Sequence, residues 1–215
     1  VHVENESYQR YIIRAGQTYQ NPGEYIVEAD AISASYFWAI AAITKSRIKV
    51  LHLSPESKQG DVYFADILGQ MGCKVEKNKE EQWISVEGTD KLHGITIDMN
   101  DTPDTVQTLA VVAAFAKGTT HIIGLKHLKI KETDRIEAPK KELQKMGIHA
   151  ESTNNSLTIQ GGNPHGASIE TYGDHRMAMS FAVAGMRIER IEIQNPEVVS
   201  KSFPNFWILL KSLSS

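Results

Sequence analysis

Cysteine is almost missing from this chain: Cys73 is the only one among 215 residues. An internal disulfide is therefore excluded, and such thrift fits a reducing, cytoplasmic setting. Cys73 follows Gly72 in a β-like run, where a buried structural thiol is a simpler reading than a nucleophile. The histidines lack metal-ligand spacing: His121 and His127 are six apart, and His149 and His165 stand far from any cysteine. Long apolar runs are lacking too. The longest, around Ala110–Ala116, is broken by Lys117 and Gly118, well short of the roughly 18–20 residues of a membrane helix. Nor is there an excess of basic charge. A net charge of −3 argues against a nucleic-acid or polyanion binder, although local basic clusters leave room for a small anionic substrate. The sequence shows no signal-peptide pattern and does not open on Met; it opens at Val1, inside a β-like pattern. The chain is expected to be a piece of a longer protein.

What is present is an ordinary globular composition, 41% hydrophobic and 23% charged, enough for one substantial core. One plan recurs three times at intervals of about 70 residues. An acidic residue opens an apolar run of small residues, at Asp30 (DAISASYFWAIAAI), Asp104 (DTVQTLAVVAAFA) and Asp174 (DHRMAMSFAVAGM). A β-like run follows: Arg47–Leu53, Thr119–Leu125 and Arg190–Gln194. Then comes a lysine, at Lys58, Lys131 and Lys201.

Aspartate is a good helix N-cap, because its carboxylate accepts the unpaired N–H groups of the first turn. Helices so apolar all round must be buried, and their Ala, Ser and Gly allow close approach. Copies one and two add an amphipathic helix ending at Met-Gly (Met71-Gly72, Met146-Gly147), where Gly fits a left-handed C-cap. Hairpins follow, Cys73–Glu76 with Trp83–Val86 and His149–Ser152 with Leu157–Ile159. Copy three ends with its second helix, Phe203–Leu213. Counting the strands expected before each buried helix (Tyr25–Val27, Thr96–Asp98, Ser168–Thr171), each unit reads β-α-β-α-β-β. The fold class is α/β (α+β): three units with pseudo-threefold symmetry, helices meeting in the middle and sheets outside. Residues 1–28 lie outside the repeat. With Gln20-Asn21-Pro22-Gly23 as a turn between Tyr11–Arg14 and Tyr25–Glu28, they read as a hairpin left over from a neighbouring domain, and residues 29–215 as the domain proper.

A repeat is also a template, and copies two and three depart from it by adding charge. Copy one opens with the bland Asp30-Ala31-Ile32 and carries Lys58-Gln59-Gly60-Asp61 in its lysine loop. Copy two has Pro103-Asp104-Thr105 and the densest charge cluster of the chain, Lys131-Glu132-Thr133-Asp134-Arg135; copy three has Asp174-His175-Arg176. A threefold arrangement puts all of these at one end of the domain. There, helix N-termini and Arg135, Arg176 and Lys201 would clamp a phosphate or carboxylate. Glu132 and Asp104 would be out of place in a mere anion trap; among cations they read as proton-transfer or hydroxyl-binding groups. Asp30 and Asp174 read as N-caps, and Lys58 as structural.

The segments Asp98-Met99-Asn100 with Pro103-Asp104, Lys131–Arg135, Asp174–Met179 and Lys201-Ser202-Phe203-Pro204, with Ser33–Phe37 (SASYF), resemble the signature segments of the 5-enolpyruvylshikimate-3-phosphate (EPSP) synthase family. The resemblance runs from about Gln17 onward. It implies the inside-out α/β barrel of the enolpyruvyl transferases, with this chain as the carboxy-terminal half of a two-domain enzyme. The implied reaction transfers the enolpyruvyl group of phosphoenolpyruvate to the 5-hydroxyl of shikimate 3-phosphate and releases phosphate, with no metal or organic cofactor. The other partner implied is the absent amino-terminal domain; neither nucleic acid nor membrane is expected.

By the same resemblance, Asp104 binds the shikimate hydroxyls and accepts a proton, and Glu132 is the acid/base residue beside the enolpyruvyl carbon. Lys131 contacts the shikimate phosphate substrate. Arg135, Arg176 and Lys201 hold phosphoenolpyruvate, Lys201 also being a candidate proton donor, and His175 supports that clamp. The herbicide glyphosate occupies the phosphoenolpyruvate site in the family. His127 stands where some members carry an asparagine that touches substrate. The competing readings are a transferase acting on a UDP-amino sugar and a non-catalytic anion-binding module.

Overall fold

In the computed structural model, which describes residues 1–213, a short hairpin (β1, Glu4–Glu6; β2, Arg10–Ile12) precedes the first repeat. Copy one comprises α1 (Ala31–Thr44), β3 (Arg47–Leu51), α2 (Phe64–Gln70), β4 (Lys74–Asn78) and β5 (Trp83–Glu87). Copy two comprises β6 (Thr96–Asp98), α3 (Val106–Ala114), β7 (Thr119–Ile123), α4 (Glu137–Lys145), β8 (His149–Ser152) and β9 (Ser156–Gln160). Copy three comprises β10 (Ser168–Ile169), α5 (His175–Gly185), β11 (Glu192–Ile193) and α6 (Phe206–Ser212). Each lysine loop contains a 3-10 turn: Gly60–Tyr63, Lys126–Ile130 and Pro196–Lys201.

The small-residue helices α1, α3 and α5 pack against one another at the centre. Every residue of α3 is buried, and α1 hides Trp38, Ile40 and Ile43 with the alanines between them. Lacking bulky side chains, α3 and α5 come close enough for Thr108 Oγ1 and Ser180 Oγ to share a hydrogen bond at 3.1 Å. That bond removes the cost of burying two hydroxyls in an apolar interior. The second helices lie farther out. In α4 the expected apolar positions Leu143 and the flanking Ile136 and Met146 are buried. Gly72 (φ +103°) and Gly147 (φ +78°) adopt the left-handed region just past α2 and α4, the C-cap geometry a side chain would strain.

The most complete sheet belongs to copy two, in the order β6-β7-β9-β8, with β6 parallel to β7 and the other pairs antiparallel. Copy one has β3-β5-β4, and copy three only the parallel pair β10-β11. Two expectations fail here. The strand Tyr25–Val27 does not form; its three residues are exposed, and the nearest backbone link is Ala29 N–H to the His52 carbonyl at 2.7 Å. The hairpin expected between Tyr11–Arg14 and Tyr25–Glu28 is replaced by pairing of Glu4–Glu6 with Arg10–Ile12. Ser7 and Tyr8 both take left-handed backbone angles, which closes a tight local turn. Closing so short a loop costs less entropy than joining strands across the flexible stretch at Gly16 and Gly23. No residue of 1–28 is buried.

Candidate active site

The N-terminal ends of α1, α3 and α5 converge with the lysine loops of copies two and three, and the charges predicted to meet there do meet. Arg135 is the hub. Its side chain is 2% exposed, and its Nε donates to Asp174 Oδ2 at 2.7 Å. Its Nη1 donates to Asp104 Oδ1 at 2.9 Å and its Nη2 to Glu132 Oε2 at 2.6 Å. One guanidinium thus joins a carboxylate from the start of α3, one from its own loop and one from the start of α5. The remaining cations sit at the rim. Arg176 Nη2 donates to Asp104 Oδ2 at 3.0 Å, and Lys201 Nζ to Glu132 Oε1 at 2.7 Å.

Local structure explains these positions. Asp174 caps α5 by accepting from the backbone N–H of Arg176 at 2.9 Å, which leaves its second oxygen for Arg135. With a fully buried carboxylate, it is more than the N-cap expected from sequence. Asp104 lies in the Pro103–Thr105 3-10 turn that leads into α3, where proline's missing N–H costs nothing. Asp134, two residues after Glu132, accepts from the backbone N–H groups of Ile136 and Glu137, both at 3.0 Å. It thereby caps the entry to α4 and turns the charged loop inward.

Electrostatics follow from this pairing. The hydrogen bond from Lys201, aided by Arg135, overrides desolvation and holds Glu132 at a pKa of about 2. Glu132 is accordingly an ionised acceptor at neutral pH. Burial, with the nearby Arg176 charge, lowers the pKa of His175. Its ring is nearly enclosed, with Nδ1 3.6 Å from Asp174 Oδ1, so it is a neutral neighbour of the cluster. Lys131 is exposed and makes no ion pair among the described residues. Six of the seven predicted residues therefore form one assembly, and Lys131 stands beside it. The cations are not open donors: Arg135, Arg176 and Lys201 each already face a carboxylate.

Two nearby groups escape a reading by charge pattern. Asp61, in the lysine loop of copy one, is pushed up to about 6, first by burial and then by the repulsion of Asp104. Tyr36, on α1, is fully buried beside Arg176, and burial carries its phenol up to about 12. A cleft of about 900 Å³ is lined by Asp98, Asp101, Lys126, His127 and Asn155, among others. It opens on the flank of copy two and contains none of the predicted site residues.

Helices gathered inside, sheets outside and a charged cluster at the helix starts define an enolpyruvyl transferase-like domain. The profile of the EPSP synthase (3-phosphoshikimate 1-carboxyvinyltransferase) family matches residues 1–210, and the chain belongs to that family. Among curated relatives, a 3-phosphoshikimate 1-carboxyvinyltransferase of Methanoculleus marisnigri is 45% identical, the alignment covering 96% of this chain and 48% of that protein. One from Marinomonas sp. is 42% identical, over 100% of this chain and 50% of the relative. The chain thus spans about half the length of the curated relatives it matches. A solved EPSP synthase from Acinetobacter baumannii superposes with a TM-score of 0.80 at 29% identity, covering all of this chain and 52% of that one. The enolpyruvyl transferase NikO from Streptomyces tendae, at 17% identity and a TM-score of 0.66 over 87% of this chain and 43% of that one, shares the fold. No described helix is long and apolar enough to cross a membrane.

Proposed function

We propose that this chain supplies one wall of an active site that transfers the enolpyruvyl group of phosphoenolpyruvate to the 5-hydroxyl of shikimate 3-phosphate, releasing phosphate, in the cytoplasm. The observation that carries this reading is the Arg135 hub, which places Asp104 and Glu132 on one guanidinium with Arg176 and Lys201 at its edge. An anion trap needs the cations; it has no use for two carboxylates held among them. The same point counts against a non-catalytic anion-binding module. The lysine-loop and Asp174-His175-Arg176 segments favour the shikimate substrate over a UDP-amino sugar.

In this reading the reaction is an addition followed by an elimination. Asp104 receives the proton of the attacking 5-hydroxyl, and a proton reaches the methylene carbon of phosphoenolpyruvate before the hydroxyl oxygen bonds to its central carbon. Loss of phosphate and of a methyl proton restores the double bond. Lys201 and Glu132 handle the protons at that carbon. Their contact bears on how the roles interchange: while Lys201 holds it, Glu132 is ionised and binds a proton only weakly. When an incoming phosphate draws Lys201 away, the carboxyl regains proton affinity. Arg176 and the outer face of Lys201 hold the anionic groups of phosphoenolpyruvate, and the exposed Lys131 reaches the shikimate phosphate. Arg135, too buried to be a free donor, fixes the carboxylates and adds positive potential behind the anion. His175, neutral, fills the space behind the clamp. No cofactor is required, since every step is a proton transfer or a carbon–oxygen exchange.

A second domain is needed to close over this open wall and exclude water, and residues 1–28 are assigned to its border. The isolated chain should accordingly have negligible turnover; steady-state release of phosphate at substantial rates would sink that part. The deciding experiment replaces Glu132 with Gln in a two-domain enzyme that contains this chain. Turnover should fall by about 10²–10⁴-fold while calorimetry still detects both substrates. An unchanged kcat removes Glu132 from the chemistry.

A further inference from the structure

The hydroxyl of Tyr36 has no explanation in packing. The side chain is fully enclosed in α1, and phenylalanine would fill the same space without burying a polar group. The ring is held edge-on by Phe206 at 5.9 Å, and Phe206 in turn packs on Phe203 at 5.7 Å. This aromatic chain leads from copy one to the segment just after Lys201. The hydroxyl has no conventional hydrogen-bond partner, and neither does the buried Nε of Arg176. The two side chains are neighbours, and each perturbs the titration of the other. The Arg176 cation draws the phenol pKa down against burial, and the phenol oxygen, with Asp104, favours the Arg176 charge that burial opposes.

We infer that Tyr36 is a positioning residue for Arg176: its hydroxyl engages Nε and fixes the plane of the guanidinium. Asp104 already holds Nη2 at 3.0 Å. With Nε on Tyr36, rotation about the last side-chain bonds is stopped at two points, and the Nη1–Nη2 edge is presented to a ligand carboxylate. A guanidinium anchored by Asp104 alone would swing about that contact. Copy one, otherwise free of site chemistry, thus reaches into the site from behind. The positioning rests on this geometry, whereas its consequence for turnover rests on the function proposed above.

The test is Tyr36→Phe, which keeps the ring and removes only the oxygen. In the 215-residue chain, NMR follows the Nε–Hε group of Arg176, assigned by its loss in Arg176→Lys. Hydrogen exchange of that proton should accelerate about tenfold or more, with Arg135 Hε and the amide spectrum unchanged. Equal protection in Tyr36→Phe and the unaltered chain overturns the inference. Because the variant could misfold, the unaltered chain offers a second readout: a nuclear Overhauser contact between the Tyr36 hydroxyl proton and Arg176 Hε, whose absence also overturns it. In a two-domain enzyme, Tyr36→Phe should raise KM for phosphoenolpyruvate about tenfold with KM for shikimate 3-phosphate unchanged. A lost Hε protection with both KM values unchanged supports the positioning and removes Arg176 from phosphoenolpyruvate binding, so the two ideas fail separately.

Discussion

Asp30 and Asp174 occupy the same place in the repeat, each opening a buried helix and each capping it. Asp30 accepts from Ser33, at 2.9 Å from its backbone N–H and 2.5 Å from its hydroxyl, and stays at the exposed rim. Asp174 is fully buried; besides capping α5 it holds Arg135 and lies 3.4 Å from Gln107 Nε2. One carboxylate serves local structure, the other joins copies two and three of the repeat. The difference arises from what faces each helix start. In copy two the lysine loop brings an arginine, whereas in copy one it brings Asp61, and two carboxylates repel each other. A symmetric scaffold thereby acquires an asymmetric site through charge at equivalent positions.

The largest effect should come from removing the buried partner. Asp174→Ala strands the Arg135 guanidinium, which is 2% exposed, with two partially exposed acids, and loses a helix cap as well. Breaking a buried ion pair from one side costs about 3–5 kcal/mol. Urea denaturation of the chain should show a loss of that order, and a loss no greater than that of an ordinary cap would mean Arg135 is satisfied without Asp174.

Lys201→Met sharpens the comparison at the rim. Its hydrogen bond is the main cause of the low Glu132 pKa, so that value should climb from about 2 toward the ordinary 4.5. Carboxyl carbon NMR of Glu132 measures the shift directly. In the native chain, Glu132's folded pKa lies below its unfolded one, so it contributes stability above the unfolded value that is lost as pH falls toward 2. The variant should lose that acid sensitivity. A Glu132 carboxyl that still titrates near its native value would assign the shift to Arg135 instead.

These contrasts show what could be read before the fold was seen. The central helices were legible because runs such as Leu109–Ala114 have no polar side to expose, and burial follows from that alone. The meeting of Asp104, Glu132 and Arg176 was legible as coincident charge at repeat positions. Which cation would pair with which acid was not, since that depends on side-chain depth. Arg135 stands in the most polar string of the chain and is among its most buried large side chains. Tyr36 left no signal because one hydroxyl in an apolar helix alters no periodicity. The strand Tyr25–Val27 was misread because β-propensity describes a fit to neighbours, and those residues have no strand beside them here.

Asp61 carries the opposite sign from Glu132. With a folded pKa near 6, above its ordinary 3.8, it binds its proton more tightly in the folded chain. Stability should fall as pH rises through that window, and the penalty persists above it. Asp61→Asn should therefore stabilise the chain above pH 6 by about 1 kcal/mol, a figure reduced for solvent screening, and have little effect below pH 4. Denaturation at both ends of the range decides. A gain of equal size at low pH would trace the effect to packing, and the proximity to Asp104 would lose its meaning.

The smallest effect is expected where the template is bland. Asp30→Ala removes the contacts to Ser33, and an N-cap of this kind is worth about 0.5–2 kcal/mol. The low end of that range should apply, because the first turn of α1 has a second anchor. Gln59 Oε1 accepts from the Ala31 N–H at 2.8 Å, while its Nε2 donates to the Ala29 carbonyl, also at 2.8 Å. Those bonds survive the substitution and keep the chain entering the helix at the same angle. No buried cation depends on Asp30, so no uncompensated charge is left behind. Thermal melts of Asp30→Ala and Asp174→Ala under one buffer make the comparison direct. If the two variants lose equal stability, Asp30 supports more than its own helix, and copy one is no longer the neutral reference against which the charges of copies two and three acquire their meaning.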